Sequence, residues 1–376
     1  MAAGGAAVQN AACPCISCHN GRLQAPLGMA QDRRKNAGRR PIRDYVIRVG
    51  GATALIPVLL EHGVDPELLL REVGLSTRTF DHPDNVVPFA ALCRALRLAV
   101  ERTGLTDIGI RAGMRADLRS LGILGYFVAN SETVGRGLHA LREFLHVHDQ
   151  GAAPFLLEED GIAMLGYEVL DPGIAGAEQM TFGALAIAAN VLRTLCGPRF
   201  ELRAVTFSFQ NPVDSSLFRK FFKAPVRFNA ERSALAFDAH WLQERIKGAD
   251  PYIREILDAK LKDTVAMRGE SFEARIRRVV RTLLATGRCS EEDAARAFGM
   301  SRRSLARRLR TSGSSFRTVV DGARFDAART LLESSQVAIV EVAARLGYAD
   351  SSTFARAFRR WSGTSPALWR RDSRST

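Results

Sequence analysis

The sequence predicts an α+β N-terminal domain, mostly helical with a small sheet, joined to an all-α C-terminal domain with two helix-turn-helix units. Three observations carry that reading. Apolar residues recur at helical spacing through most of the chain, but short alternating runs break in between residues 153 and 237. Near the C-terminus, a helix, a glycine turn and a capped second helix occur together twice, about 50 residues apart. Charge is partitioned as well: from Glu270 onward there are 21 Arg, no Lys and 11 acids, about +10 of a net +13. The first 45 residues add about +5 and leave the middle near −2, which implies two different jobs on one chain.

The bulk properties bound the answer. With 376 residues and 46% hydrophobic content, the chain has room for two or three domains with sizeable cores. A pI near 10.1 favours a polyanionic partner. No run approaches the roughly 18 apolar residues of a membrane span, and the N-terminus lacks the order of a secretory signal. Six Cys in a chain this long fit a reducing compartment better than a disulfide scaffold. The expected location is the cytoplasm, without a membrane partner.

Residues 1–42 are rich in Ala, Gly and Arg, show no period, and read as a disordered leader. They hold Cys13, Cys15, Cys18 and His19 in a C-x-C-x-x-C-H spacing. Four soft ligands this close have zinc-ligand chemistry, but a C-x-C pair suits a tetrahedral site poorly and no second cluster completes a zinc fold. From about Arg43 to Val147 the pattern is helical. His62-Gly63-Val64-Asp65-Pro66 stops one helix and starts another, Gly74 closes that one, and Val87-Pro88 opens a helix from Phe89 towards Arg102. Leu121 to Tyr126 is too apolar for an exposed linker and reads as a closely packed helix start. A helix from Thr133 leads to His139, His146 and His148, the last two spaced as on one strand face. No carboxylate or Cys completes a metal set there, so no metal ligand is expected.

In the mixed stretch, Ala163–Val169 after the Asp160-Gly161 turn and the alternating Val205–Phe209 read as strands. Val226–Phe228 and Ala234–Phe237 are two more, joined by a polar turn. Met180–Leu195 is a long apolar helix, and Ser215–Phe222 a short one. No nucleophile with its base, Gly-rich phosphate loop or paired-carboxylate site stands out, so neither a catalytic residue nor a cofactor is expected. Cys93, Cys196 and Cys289 sit in apolar or helical contexts and read as structural. Tyr252–Val265 is a connecting helix. The domains are therefore placed at 43–247, with a linker helix at 248–269, a helix-turn-helix domain at 270–371 and a tail at 372–376.

The C-terminal block carries the sharpest signals. A helix from Phe272 precedes Ser290, which caps a helix whose first turn is Glu291, Glu292 and Asp293; acids suit the positive end of a helix dipole. Gly299 turns the chain and Ser301 caps the next helix. There Leu305 and Leu309 point in, while Arg302, Arg303 and Arg307 point out. A helix from Ser315 to Ser334 joins this unit to a second. In the second unit Ile339, Val342, Ala343 and Leu346 form one apolar face, Gly347 ends the helix, and Asp350 or Ser351 caps the next. Phe354 and Phe358 face inward, leaving Ser351, Ser352, Thr353, Arg356 and Arg360 outward. A short helix with an outer face of hydroxyls and guanidiniums, propped on another helix, suits the major groove of double-stranded DNA.

Residues 270–371 resemble the C-terminal DNA-binding domain of the AraC/XylS family of bacterial transcription regulators. The resemblance rests on AARAFGMSRRSLARRLR and VAARLGYADSSTFARAFRRWSGTSPALWR. The middle is similar to the family's arabinose-binding-type N-terminal domain through HGVDPELLLREVGL, LGILGYFVANSETVGRGLHALREF and FKAPVRFNAERSALAFD. The resemblance covers about residues 45–371 and leaves out the leader. It implies an effector-sensing and dimerisation domain at 43–247, a homodimer, a small-molecule effector, contact with RNA polymerase, and activation of a metabolic operon. It also implies base-facing positions at Arg302, Arg303 and Arg307 in the first unit and at Ser351, Ser352, Thr353 and Arg356 in the second. Ala306 departs from the polar residue often found there, so the first unit would read fewer bases. Arg307 and Arg356 would each grip a guanine through O6 and N7, worth about 1–3 kcal/mol of discrimination. Arg308, Arg310, Arg359 and Arg360 would hold phosphates or cover apolar core with their stems. Two heads on one rigid helix should meet successive grooves roughly 34 Å apart. The rival readings are a constitutive regulator without ligand and an enzyme with an appended DNA-binding tail. The second would need a reactive Cys or a metal site.

Overall fold

A computed structural model describes residues 45–374, apart from 172, 268–271, 286–288, 299 and 335–336. The leader with its Cys13, Cys15, Cys18 and His19, and the turn at Gly299, lie outside the described residues. The chain first forms β1 (Val46–Arg48), then α1 (Leu55–Glu61) and α2 (Pro66–Glu72). Asp65 caps α2 by accepting from the Glu67 and Leu68 amides, with Pro66 at the first helical position where its missing N–H costs nothing. β2 (Val86–Pro88) leads into α3 (Phe89–Thr103), closed by Gly104. The stretch expected to be wholly helical therefore holds a small sheet: β1 and β2 pair antiparallel, Ile47 opposite Val87. Three-residue strands are too short to show a period of two, and that is why the pattern hid them.

Next come α4 (Ile108–Gly113), α5 (Ile123–Ala129), α6 (Val134–Phe144), β3 (Ala152–Glu159), β4 (Ile162–Val169) and α7 (Ala177–Cys196). β5 (Ala204–Thr206), α8 (Ser216–Phe222), β6 (Val226–Arg227) and β7 (Ala234–Asp238) complete the N-terminal part. The second sheet has the order β3-β4-β7-β5-β6. β3 and β4 form a hairpin through Asp160-Gly161, both at positive φ, the geometry a two-residue turn needs. β6 and β7 do not pair across their polar turn. Instead β5 lies between them, antiparallel to β7 and parallel to β6. His146 and His148 lie at a 3-10 turn rather than on a strand, and both are buried.

Helix α7 is the spine of this half, packed on β4 and against α4. Its approach to α4 is close enough to require glycine: a Cβ on Gly109 would stand 1.9 Å from the Gln179 carbonyl oxygen, and one on Gly113 2.4 Å from that of Gly183. Beside it Phe182 meets Phe207 and Phe218 edge to face, each at 5.0 Å, a geometry aromatic quadrupoles favour.

α9 (Pro251–Met267) follows, with its Leu261 fully buried against Phe127, Ala140 and Val147. Arg254 stacks 4.2 Å over the Phe127 ring and hydrogen-bonds Ser131. The remaining helices are α10 (Phe272–Ala285), α11 (Glu291–Ala297), α12 (Arg302–Thr311), α13 (Phe316–Ser334), α14 (Ile339–Arg345), α15 (Ser351–Ser362) and α16 (Pro366–Arg374). They enclose two cores strung along α13. Val319, Val320 and Ala323 join Ile276, Val280, Leu305 and Leu309 at one end; Ala328 and Leu332 join Val342, Leu346, Phe354 and Phe358 at the other. The fold is thus a mostly helical α+β N-terminal part joined to an all-α C-terminal part. Arg281 of α10 ties the two, donating to the Tyr45 hydroxyl at 2.6 Å and to Asp326 at 2.7 Å.

Candidate nucleic-acid interface

Each of the two units presents a helix held from behind and bare in front. In the first, Ser290 caps α11 by accepting from the Asp293 amide at 3.0 Å, and Ser301 caps α12 by accepting from the Ser304 amide at 3.2 Å. Leu305 and Leu309 are fully buried, so the four-residue repeat fixes which way α12 faces. Arg302, Arg303, Arg307 and Arg310 are exposed. Arg302 lies 3.5 Å from Glu291 on α11, which draws its charge back towards the supporting helix. Arg308 instead stacks 4.6 Å over the Phe272 ring, covering the core with its stem.

In the second unit Gly347 takes φ +76°, the left-handed turn that breaks α14 from α15. Asp350 caps α15, accepting from the Thr353 amide at 2.7 Å and from its hydroxyl at 2.8 Å. Those bonds hold the Asp350 carboxyl below the usual carboxylate range. Phe354, Ala357 and Phe358 are buried, and Gly363 at φ +78° ends the helix. Ser352 and Arg356 are exposed, while Ser351 and Thr353 are half-buried at the first turn. Thr353 is occupied by the cap and also accepts from Arg356 at 3.2 Å, so its hydroxyl orients Arg356. Arg360 is exposed and pairs with Asp321 of α13 at 3.1 Å. Among the described residues Arg303, Arg307, Arg310 and Arg359 hold no acidic partner.

A groove between the units is lined by Arg317, Arg324, Arg356 and Arg360, with Asp321 as its acid. Arg317 and Arg324 were not legible as site residues, because they belong to the connecting helix and their place depends on the fold of both units around it. Arg324 stacks 5.1 Å from the Tyr348 ring centre. The basic outer faces of α12 and α15, with this groove between them, present guanidinium donors of the kind that can bond base edges and phosphates.

Reactive groups are held down elsewhere. Burial pushes the Cys93 thiol well up, the Cys196 thiol to about 12 and the Cys289 thiol to about 11, so none is a thiolate at neutral pH. Among the described residues no three His, Cys, Asp or Glu side chains converge as a metal site, and no helix is long and apolar enough to cross a membrane.

Comparison with known proteins agrees with the architecture. The model of the arabinose-binding N-terminal domain of AraC transcription regulators matches residues 63–246, and a helix-turn-helix domain model matches 294–372. The chain is similar to the HTH-type transcriptional regulator VirS of Mycobacterium tuberculosis, 26% identical over 86% of this chain and 96% of that one. It is also similar to the ornithine utilization regulator of Pseudomonas aeruginosa, 27% identical over the same shares. Among solved structures, the transcriptional regulator CdpR of Pseudomonas aeruginosa covers 85% of this chain and 96% of its own at 22% identity, with a TM-score of 0.44. With the AraC-type N-terminal domain and the helix-turn-helix domain matched in one chain, and with relatives that are HTH-type transcriptional regulators, this protein is a transcriptional regulator with a helix-turn-helix DNA-binding domain.

Proposed function

We propose that this regulator reads a specific DNA sequence through α12 and α15 and answers a small-molecule effector held by residues 43–247. The observation that carries the reading is the pair of arginine-faced helices strung on the single helix α13, each fixed from behind by its own core. In this assignment Arg302, Arg303 and Arg307 meet one major groove, and Ser351, Ser352, Thr353 and Arg356 the next. Arg360 bonds a phosphate. Residues 248–269 link the two domains, 270–371 bind DNA, and the protein acts in the cytoplasm as a homodimer that recruits RNA polymerase. Two DNA-binding domains in one dimer raise affinity through effective concentration. Activation of a metabolic operon is favoured by the company the chain keeps: one relative is named an ornithine utilization regulator, and a further one, 33% identical over 98 residues, a transcriptional activator.

Selection from a random duplex library tests the proposal. The expected product is a site with two short blocks about one helical turn apart. Enrichment of no sequence, or of a single block, contradicts two reading heads. Arg360→Ala should then weaken selected and random DNA alike and lower the salt slope by about one.

A further inference from the structure

The N-terminal half holds a partly open cavity of about 100 Å³. That is the same order as an engineered apolar cavity of roughly 150 Å³ that takes up benzene. Its walls come from β1, α3, α4, α6, β4 and α7, and are mainly aliphatic: Leu92, Leu96, Leu141, Leu145 and Ile187. Four polar side chains in the wall are already satisfied. Asp149 accepts from the Gly151 amide at 2.8 Å and from the Tyr167 hydroxyl at 2.6 Å. Arg48 donates to the Leu121 carbonyl at 2.9 Å and is paired with Asp84. Gln179 bridges the Gly109 amide and the Thr106 carbonyl. His148 differs: it is buried, its Nδ1 is closed off without a hydrogen-bond partner, and its Nε2 is the ring nitrogen left to meet a ligand. Its Nε2 lies 3.9 Å from where a Cβ on Gly51, another wall residue, would stand.

We infer that this cavity takes one small uncharged molecule, apolar in body with a single hydroxyl head, and that the His148 imidazole bonds that head. The inference rests on the effector-sensing reading above and names the chemistry of the effector. Size limits the body to one ring or a short chain. An anionic head is disfavoured because Arg48 is already paired with Asp84 and buried Asp149 would repel it, and a charge of either sign would be desolvated among mainly aliphatic walls. A sugar is disfavoured for the same reason, since several hydroxyls would meet one free group. A hydroxyl both donates and accepts, so it suits either tautomer of a neutral imidazole; burial, then Arg48, keeps His148 neutral at physiological pH. The cavity is also placed to be heard. Ile47 and Arg48 of β1 line it, and Tyr45, immediately before that strand, carries the bond to Arg281 of the DNA-binding part.

Isothermal titration of the full chain with phenol, toluene, benzoate and L-arabinose tests this. Phenol should bind saturably and more tightly than toluene, with benzoate and arabinose silent. Gly51→Val should abolish phenol binding by filling the cavity; Ala188→Val, in the α7 part of the lining, fills it should the first variant lose its far-UV circular dichroism. His148→Leu should weaken phenol by roughly tenfold and leave toluene unchanged. No phenol binding, equal binding of phenol and toluene, or binding of benzoate or arabinose overturns the inference. DNA affinity separates this from the wider reading. A metabolite that changes DNA affinity even in Gly51→Val would overturn the cavity and leave the effector-responsive regulator standing. Phenol binding that leaves DNA affinity untouched would keep the cavity and overturn effector response.

Discussion

His148 and Asp149 are neighbours in sequence, buried together, and pull stability in opposite directions with pH. Burial, reinforced by Arg48, lowers the His148 imidazole from 6.5 to about 3. Burial raises the Asp149 carboxyl from 3.8 to about 6, against the opposing bonds from Tyr167, Gly151 and Ala152. For His148 the unfolded chain takes up a proton that the native state refuses, so stability falls as pH drops from 6.5 towards about 3. For Asp149 the native state takes up the proton first, so its contribution is full below 3.8 and is lost as pH rises through about 6. Between pH 7 and pH 5 these shifts amount to a loss of about 2 kcal/mol from His148 and a gain of about 1 kcal/mol from Asp149. The wild type shows only their difference. Urea unfolding followed by circular dichroism at both pH values, in wild type and single variants, separates the two. His148→Leu should gain about 2 kcal/mol relative to wild type on going from pH 7 to pH 5, and Asp149→Asn should lose about 1 kcal/mol. Variant-to-wild-type differences that do not move with pH would refute the burial argument for both residues.

Three further substitutions test the packing. Phe358→Ala removes a fully buried ring that lies 5.6 Å from Phe325 and 5.8 Å from Trp369; it should cost about 3–5 kcal/mol in the C-terminal transition of a calorimetric scan and leave an N-terminal transition in place. Gly109→Ala drives a methyl into the backbone of α7 at Gln179. It should destabilise the N-terminal transition by at least about 1–3 kcal/mol, and a neutral result would mean that α4 and α7 do not meet as described. Tyr45→Phe removes one hydroxyl from Arg281. Hydrogen exchange in α10 should speed up by an amount corresponding to about 1.5–3 kcal/mol, while the strands of the large sheet stay protected.

Local signals made the helix-turn-helix units legible. Ser290, Ser301 and Asp350 sit where caps must, and Leu305, Leu309, Phe354 and Phe358 repeat at four residues, so their inward orientation follows from the helix alone. Features set by distant partners were hidden. β1 finds β2 about 40 residues on, and β5 inserts between β6 and β7 by a pairing that no local turn announces. β3 escaped because its first four residues are all buried, which erases the alternation of a half-exposed strand. The same limit applies at the interface. Arg360 pairs with Asp321 and Arg308 stacks on Phe272, each more than 30 residues away, and these contacts assign side chains that spacing leaves equivalent. His148 shows it most clearly, since H-x-H spacing suggests a strand while the fold buries the ring in a cavity wall.

The central claim is that α12 and α15 read bases, and Arg356 offers its sharpest test. It is exposed at the centre of α15 and steadied by Thr353. Affinities of wild type and Arg356→Ala should be measured at one salt concentration for the selected site and for random duplex. The account predicts that Arg356→Ala loses about 1–3 kcal/mol more on the selected site than on random DNA, with relaxed preference at one base pair. Equal losses on both would make Arg356 a phosphate contact and contradict base reading by α15.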